Sequence, residues 1–284
     1  VYDGEQVAVL LRHTQALTES AKESLMSFAN QNQLALFLQP APETIEQITG
    51  KPLSYSETDA KIDFLPTDFI QVNETVNQKM VAQAIEWLEI KPTDSVLDLF
   101  CGLGNFSLAI AKKAQSVVGV EGIEAMVLRA QINAKHNGLD NIRFYQANLE
   151  ESQTDAAWAK QRFDKVILDP ARAGASGVLA QLTEFSPSRL VYISCNPATL
   201  ARDSQQLAEL GYELKQLGML DMFPQTRHLE SMALFVKSNK PVLRSSQHKT
   251  AVTKTAMSKT AGMSKTAAKK RQGTKRPAPK RLKI

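Results

Sequence analysis

The spacing of hydrophobic residues changes once along the chain, near residue 70. Before that point, apolar runs at 7–12 and 34–38 flank an amphipathic stretch at 17–30, and a further short apolar run covers 62–65. Short apolar runs of this kind are typical of strands, and the longer periodic stretch is typical of a helix. We therefore predict a small α+β unit over residues 1–70, as the remainder of a truncated central domain.

From Glu74 onward, helix-length and strand-length segments alternate. The apolar residues between Val76 and Leu88 fall on one face of a helix. Seven strand-length runs follow, at 95–100, 116–121, 142–146, 163–169, 189–194, 213–219 and 231–237. Helices fit between the first six runs, whereas none fits between the sixth and the seventh, which are predicted to pair antiparallel. This order predicts a doubly wound, Rossmann-like α/β fold over residues 71–240, with a seven-stranded sheet whose last strand is antiparallel.

Charge divides the chain more sharply than hydrophobicity does. Residues 241–284 hold 13 of the 34 Lys and Arg residues and no acidic residue, whereas the first 240 residues hold 21 basic and 29 acidic residues, a net charge of −8. The basic segment is poor in large apolar residues and cannot form a packed core. We predict that it is a disordered tail that binds RNA phosphates without sequence preference.

Cysteine content and the length of the apolar runs limit where the protein works. Two cysteines in 284 residues do not form a disulfide framework, which fits a reducing compartment such as the cytoplasm. None of the apolar runs is long enough to cross a bilayer, so no membrane association is expected.

The first three strand ends carry residues suited to a nucleoside cofactor. Gly102 and Gly104 allow the backbone to approach a ligand closely, and Glu121, at the end of the next strand, can accept hydrogen bonds from both hydroxyls of a ribose. A dinucleotide-binding motif would place a third glycine where this chain has Ser107, so S-adenosylmethionine fits better. Asn148 follows the third strand, where it either meets the adenine edge or caps a helix.

The later strand ends carry candidate reaction chemistry. Asp169 ends the fourth strand, where it can bind a pyrimidine edge or the cofactor, and Arg172 follows it, suited to a phosphate or a carboxylate. Cys195 ends the fifth strand and is either a small core residue or a nucleophile, since a thiolate that adds to carbon 6 of uracil makes carbon 5 electron-rich. Such a reaction needs a base that removes the carbon 5 proton. Glu230, immediately before the seventh strand, is either that base or a solvated loop carboxylate, and the role of His228 is left open.

Six motifs carry a resemblance to a known family. In chain order they are DFIQVNETVNQKMV, LDLFCGLGNF, VVGVEG, FDKVILDPARAGA, YISCNPATLARD and MLDMFPQTRHLESMALF. From about Phe64 to Lys237, the chain resembles the catalytic part of the RNA 5-methyluridine methyltransferases. Within that family it is most similar to the bacterial 23S rRNA enzymes, because the tRNA enzymes have other residues at the positions of Phe100 and Ala171.

The resemblance implies a reaction and a set of site residues. The reaction is methylation of carbon 5 of a specific uridine in 23S rRNA by S-adenosylmethionine, with Cys195 as the nucleophile, Glu230 as the base and no metal. The cofactor-binding residues that it implies are Gln71, Phe100, Asn105, Glu121, Asn148 and Asp169. Of the two cysteines, Cys101 is interpreted as small buried filler. The enzyme is expected to act as a monomer.

The chain departs from the family pattern, and other functions compete with the one that the resemblance implies. Relatives carry an upstream RNA-binding domain of the OB type and a four-cysteine iron–sulfur site, and this chain is not expected to hold that cluster because both of its cysteines are already assigned. The alternatives are a tRNA 5-methyluridine methyltransferase of the same family and a non-catalytic RNA-binding protein. A 5-methylcytosine methyltransferase would place a second cysteine at the fourth strand end, and a nicotinamide-dependent dehydrogenase would need the third glycine.

Overall fold

In a computed structural model, the chain is described at residues 1–57, 60–151 and 153–238. The predicted basic tail, residues 241–284, lies outside the described residues. Within the described ranges, none of the helices combines the length and the apolar character that a bilayer crossing requires.

A parallel strand pair with a connecting helix opens the chain. Strand β1 (Val7–Arg12) lies parallel to β2 (Leu34–Ala41), and helix α1 (Glu19–Gln31) connects them. Thr18 caps α1 because its side chain accepts a hydrogen bond from the backbone N–H of Ala21. These elements match the predicted ones, with small shifts at their ends.

Three further strands lie before residue 65. Strand β3 (Thr44–Gln47) pairs antiparallel with β2, and β4 (Leu53–Glu57) forms an antiparallel hairpin with β5 (Ala60–Phe64). Of these three, the sequence predicts only β5. The pattern of β3 gives little indication of a strand because it is a largely exposed edge strand with a single large apolar residue, Ile45.

A seven-stranded sheet follows helix α2 (Glu74–Leu88). Its strands are β6 (Ser95–Leu99), β7 (Ser116–Glu121), β8 (Ile142–Gln146), β9 (Lys165–Leu168), β10 (Arg189–Ser194), β11 (Tyr212–Leu220) and β12 (Glu230–Lys237). The intervening helices are α3 (Ser107–Ala111), α4 (Glu124–His136), α5 (Ser176–Leu179), α6 (Leu182–Phe185) and α7 (Pro197–Glu209). In space the strand order is β11-β12-β10-β9-β6-β7-β8, and β12 runs antiparallel to both of its neighbours, which confirms the predicted fold class.

The connection between β8 and β9 differs from the prediction. Its described residues contain one turn of 3₁₀ helix, Ala157–Lys160, and no α-helix, so the expectation of a helix in each of the first five gaps is wrong here. The buried side chains of this turn, Trp158 and Ala159, are adjacent in sequence and do not repeat at helical spacing.

Both faces of the large sheet are buried, which explains the nearly continuous apolar runs of its strands. One face packs against α2, α3 and α4 and shares its core with Phe37 and Ile62 of the small sheets. The other face packs against α5, α6 and α7. Neighbouring residues such as Val96 and Leu97 therefore point into opposite cores. The small sheets pack directly against the large one, and a domain division at residue 70 stays a prediction.

Candidate active site

A cleft of about 540 Å³ opens at the edge where β6, β7, β9 and β10 end and where the antiparallel β12 begins. Ligands of doubly wound sheets bind at this edge. The segment before α2 closes one side of the cleft. Seven of the eight predicted site residues line it, namely Gln71, Phe100, Asn105, Glu121, Asp169, Cys195 and Glu230.

The glycine-turn wall of this cleft consists of residues 100–106 and Glu121. Phe100 and Gly102 have φ angles of +64° and +55°, a region that a bulky side chain such as that of Phe100 rarely adopts. The Glu121 carboxylate holds this turn, because it accepts hydrogen bonds from the backbone N–H of Gly102 at 3.2 Å and of Ile123 at 3.1 Å. The chain itself therefore fixes both the turn and the direction of the carboxylate.

Two side chains in and next to the glycine turn are buried. Cys101 is 3% exposed, which confirms its interpretation as buried filler. Asp98 is fully buried and accepts a short hydrogen bond from the Ser107 hydroxyl, while its other oxygen has no partner among the residues that the structure describes. Burial raises the pKa of Asp98 to about 7, with the charges of nearby carboxylates adding to the rise and the Ser107 hydrogen bond opposing it.

The thiol wall of the cleft consists of residues 169–172, Cys195 and Glu230. The ladder between β10 and β12 ends at the pair Ser194–Ser231, and Cys195 directly follows Ser194 while Glu230 directly precedes Ser231, so both residues lie at the same end of the ladder. Glu230 is the first residue of β12 and is 5% exposed. The structure corrects the sequence interpretation here: Glu230 lies inside the strand rather than before it, and the ladder draws it out of the solvent that a loop carboxylate would have.

Burial controls the acidity of three groups on the thiol wall. It raises the pKa of Glu230 to about 7. Burial, and then the charge of Glu230, raises the pKa of Asp169 to about 7, opposed by a hydrogen bond from Gln71 at 3.5 Å. The pKa of the Cys195 thiol is raised by burial and then by both carboxylates, while Arg172 acts in the opposite direction. Each negative charge on this wall therefore makes the next one harder to form.

Arg172 and His228 meet at the border of the cleft that they help to line. The Nη2 atom of Arg172 lies 3.4 Å from Nδ1 of His228, and the His228 ring packs edge-on against Phe223 with the ring centroids 5.9 Å apart. Both Arg172 and His228 are exposed, so a ligand that enters the cleft has access to them.

The family model for tRNA (uracil-5-)-methyltransferases matches residues 42–238, a range that includes both walls of the cleft. The chain belongs to this family. The resemblance inferred from the six motifs is thereby confirmed at the level of the family.

Close relatives carry a more specific name. The 23S rRNA (uracil(1939)-C(5))-methyltransferase RlmD of Vibrio cholerae is 57% identical over 235 residues, which cover 82% of this chain and 53% of the relative. The RlmD of Photobacterium angustum is 59% identical over 206 residues, which cover 72% of this chain and 94% of the relative. The chain spans about half the length of the Vibrio relatives that it matches.

Solved structures show the same fold. The tRNA (uracil-54, C5)-methyltransferase of Pyrococcus abyssi, in complex with S-adenosyl-L-homocysteine, matches with a TM-score of 0.65 and 26% identity over 82% of this chain and 57% of that chain. The tRNA m1G37 methyltransferase of M. jannaschii matches with a TM-score of 0.55 over 84% of this chain and 72% of that chain, and at 14% identity it supports the fold alone.

Asn105, one of the cofactor residues implied by the family resemblance, is engaged in a structural network. Its amide exchanges two hydrogen bonds of 2.9 Å with the amide of Asn77 on α2, and its Oδ1 atom also accepts one from the Tyr55 hydroxyl at 3.1 Å. This network joins the glycine turn to α2 and to β4. A direct contact between Asn105 and a cofactor stays a prediction.

Asn148 is the predicted site residue that does not line the cleft. It is exposed, its Oδ1 atom accepts a hydrogen bond from the backbone N–H of Glu150 at 3.1 Å, and its amide donates to Glu151 at 2.9 Å. The local role resembles the capping alternative, although no helix begins at this position. Its contact with adenine likewise stays a prediction.

Several lining residues are absent from the set that the sequence predicts. Phe69 lines the cleft although 67% of it is exposed, and Ile70 lies next to it. Both belong to the segment that carries Gln71, between β5 and α2. Phe69 could have been found from the sequence, because a large aromatic residue stands there in a loop that shows no helix or strand periodicity. Phe223 and Met126 line the cleft from the β11–β12 connection and from α4, and the sequence gives no comparable indication for them.

Proposed function

We propose that this chain methylates carbon 5 of a uridine in 23S rRNA, with S-adenosylmethionine as the methyl donor. The observation that carries the proposal is the placement of Cys195, directly after β10, and Glu230, the first residue of the neighbouring strand β12, in one cleft. Methylation at carbon 5 needs a nucleophile for carbon 6 and a base for the carbon 5 proton. The names of the relatives from Vibrio and Photobacterium support the 23S rRNA target and uridine 1939.

The glycine-turn wall fits an adenosyl cofactor. The Glu121 carboxylate lines the cleft and is fixed by two backbone N–H groups, so its free lone pairs can accept hydrogen bonds from ribose hydroxyls. The Oε1 atom of Gln71 is buried and has no hydrogen-bond partner within the described ranges, so it can accept from a donor on a ligand. When bound, S-adenosylmethionine supplies an electrophilic methyl group. We assign its binding to Gln71, Phe100, Glu121 and Asp169, and the bound product analogue in the Pyrococcus structure supports the choice of cofactor.

In the proposed mechanism, the Cys195 thiolate adds to carbon 6 of the uracil ring. The new sulfur–carbon bond shifts the ring electrons towards carbon 5 and the carbon 4 oxygen, which makes carbon 5 nucleophilic enough to take a methyl group. Because burial and two carboxylates raise the pKa of this thiol, the thiolate forms more readily when the carboxylates are protonated or when Arg172 is close. The positive charge of Arg172 also favours the enolate that the addition creates.

Glu230 completes the proposed reaction. After methylation, carbon 5 carries both a proton and the methyl group, and the Glu230 carboxylate removes the proton. The electron pair of that C–H bond re-forms the carbon 5–carbon 6 double bond and expels the Cys195 thiolate. Burial places the pKa of Glu230 at about 7, which lets it accept and release protons near neutral pH.

The oligomeric state, the compartment and the role of the basic segment are also proposed. We propose that the protein acts as a monomer, since one chain supplies every residue of the cleft described above. We also propose that it works in the cytoplasm.

Residues 241–284, with 13 basic and no acidic residues, would add affinity for RNA phosphates. Replacing Lys269, Lys270 and Arg271 by Gln in the full chain should then weaken RNA binding and reduce its salt dependence.

A tritium-release assay tests the proposed function. The full chain is incubated with S-adenosylmethionine and a 23S rRNA transcript that carries tritium at carbon 5 of its uridines, and methylation releases tritium to water. We expect release from 23S rRNA and the new methyl group at uridine 1939. Release from a tRNA transcript instead would favour the tRNA enzyme of the family, and RNA binding without release from either transcript would favour a non-catalytic RNA-binding protein.

A further inference from the structure

Asp203, on α7, is a fully buried carboxylate outside the cleft. Its Oδ2 atom accepts hydrogen bonds from the Tyr192 hydroxyl at 2.6 Å and from the backbone N–H of Ala175 at 2.8 Å, and its Oδ1 atom accepts one from Nε of Arg202 at 2.8 Å. This carboxylate therefore joins α7 to strand β10 and to the segment that follows Asp169.

The helix that carries this carboxylate makes two more bonds to the same segment of chain. Arg202 donates to the carbonyl of Ala173 at 2.8 Å, and Asn196, which caps the start of α7, donates to the carbonyl of Arg172 at 3.1 Å. Gly174 lies between Ala173 and Ala175 with a φ of +84°, and a Cβ atom there would lie 2.6 Å from an oxygen of the buried carboxylate. The segment is therefore clamped by its backbone to the helix that begins beside Cys195.

We infer that Asp203 is a positioning residue that holds the backbone of residues 172–175 so that the guanidinium of Arg172 stays at the border of the cleft that Cys195 also lines. The inference rests on the proposed function, because the Cys195 thiol is the group that would react. The clamp does not extend to Asp169, whose backbone N–H donates to the carbonyl of Leu99 at 3.3 Å and which is thus held by the sheet. Loss of Asp203 should then disturb the RNA side of the cleft and leave the cofactor side in place.

The substitution Asp203→Asn tests whether the RNA side of the cleft is disturbed while the cofactor side is not. Asp203→Asn keeps the shape of the side chain but replaces one acceptor oxygen by an NH₂ group, which faces N–H or O–H donors on either side. Because a displacement of about 1 Å at a reacting centre costs roughly 10²-fold in rate, we expect addition of the thiol to slow by about that factor. We expect the dissociation constant for S-adenosylmethionine to change by less than about twofold, since the two sides are held independently.

Formation of a covalent adduct with RNA measures the step directly. In RNA with 5-fluorouridine at the target, fluorine replaces the proton that the base must remove, so the bond between Cys195 and carbon 6 persists after methylation and gives a slow-migrating band on a denaturing gel. The rate of band formation in a single turnover is compared between the wild type and Asp203→Asn. Glu209→Gln, an exposed carboxylate on the same helix, is the matched control and should leave the rate unchanged.

The same comparison in a protein that already carries Arg172→Ala distinguishes positioning of Arg172 from general destabilisation. With Arg172→Ala already present, Asp203→Asn should slow the adduct by no more than about twofold, because the residue that it positions has been removed. If Asp203→Asn melts below the assay temperature, Tyr192→Phe, which removes a single hydroxyl from the network, takes its place in both backgrounds.

Three outcomes decide the inference. Slow adduct formation with unchanged cofactor affinity, and loss of the effect when Arg172 is absent, supports it. A wild-type rate in the Asp203 variant, or an equal slowing with and without Arg172, overturns it while leaving the proposed function intact. Failure of the wild type itself to form the adduct or to methylate RNA would instead remove the proposed function.

Discussion

The two walls of the cleft differ in how their charged groups are satisfied. On the glycine-turn wall, backbone N–H groups of Gly102 and Ile123 hold both oxygens of Glu121, so that wall is set before any ligand arrives. On the thiol wall, burial raises the pKa of Glu230 and of Asp169 to about 7 and raises that of Cys195 as well. The carboxylate of the first wall is thus fixed by hydrogen bonds, whereas burial on the second wall favours the protonated forms of its acidic groups and brings two carboxyl groups close to the pKa at which they can exchange protons at neutral pH.

Removing the thiol separates the walls most sharply. Cys195→Ala should lower methyl transfer by roughly 10⁴-fold or more, because the variant has lost the group that adds to carbon 6. Calorimetry should show a dissociation constant for S-adenosylmethionine within about twofold of the wild type. Cys101→Ala is the matched comparison and should cost less than about tenfold, since that sulfur only fills space. Transfer near the wild-type rate in Cys195→Ala would rule out this nucleophile.

Removing the proposed base, Glu230, should stop the reaction one step later. Glu230→Gln should lower turnover by about 10²–10⁴-fold, and because the carbon 5 proton stays in place, a covalent protein–RNA adduct should accumulate even with unmodified RNA. A denaturing gel detects the adduct as a slow-migrating band that contains RNA. Slow turnover without any such band would place Glu230 in a role other than proton removal.

The glycine-turn wall should respond in binding rather than in chemistry. Glu121→Gln removes a charged acceptor, so the dissociation constant for S-adenosylmethionine should rise by about tenfold or more, as calorimetry can measure. Glu124→Gln, on the exposed first turn of α4, is the control. The same titration of Asn148→Ala decides whether that exposed amide reaches the cofactor, since a rise of less than about twofold would remove it from the binding set.

The acids with raised pKa values should also make stability depend on pH. The pKa values of Asp98, Asp169 and Glu230 are about 7 in the folded chain, against ordinary values of 3.8 for Asp and 4.5 for Glu. Between about pH 4 and pH 7 the unfolded chain therefore loses protons that the folded chain keeps, so stability falls as the pH rises through this window and levels off above it. Melting temperatures at pH 5 and pH 8 measure the effect. Glu230→Gln should shrink the difference by a few degrees, and an unchanged difference would contradict the pKa assigned to Glu230.

Much of the fold and of the glycine-turn wall follows from local sequence. The strands that end at the cleft are buried on both faces and give continuous apolar runs, and the residues that close each run, such as Glu121 and Cys195, are read from position alone. Gly102 is likewise a local feature, because a positive φ angle favours glycine. These parts need no knowledge of which distant residues meet.

The parts that sequence reasoning placed wrongly or left out depend on long-range register. Glu230 is adjacent in sequence to a loop and is buried only because β12 pairs with β10, a partner distant in the chain. The contacts of Asp203 are also long-range, because its partners Tyr192 and Ala175 come from a strand and from a separate loop. Asn148 shows the reverse situation, since its position after a strand suggests the cleft while its side chain bonds within its own turn, and its contact with the cofactor stays a prediction.

The antiparallel ladder between β10 and β12 has a consequence for variation among related chains. It extends over six residue pairs, from Arg189–Val236 to Ser194–Ser231. The hydrogen-bonded strands thus hold the proposed nucleophile and the proposed base at one end of the sheet. Residues 224–227 of the β11–β12 connection are exposed, so changes there should leave that pair in place while they alter the surface that an RNA would meet.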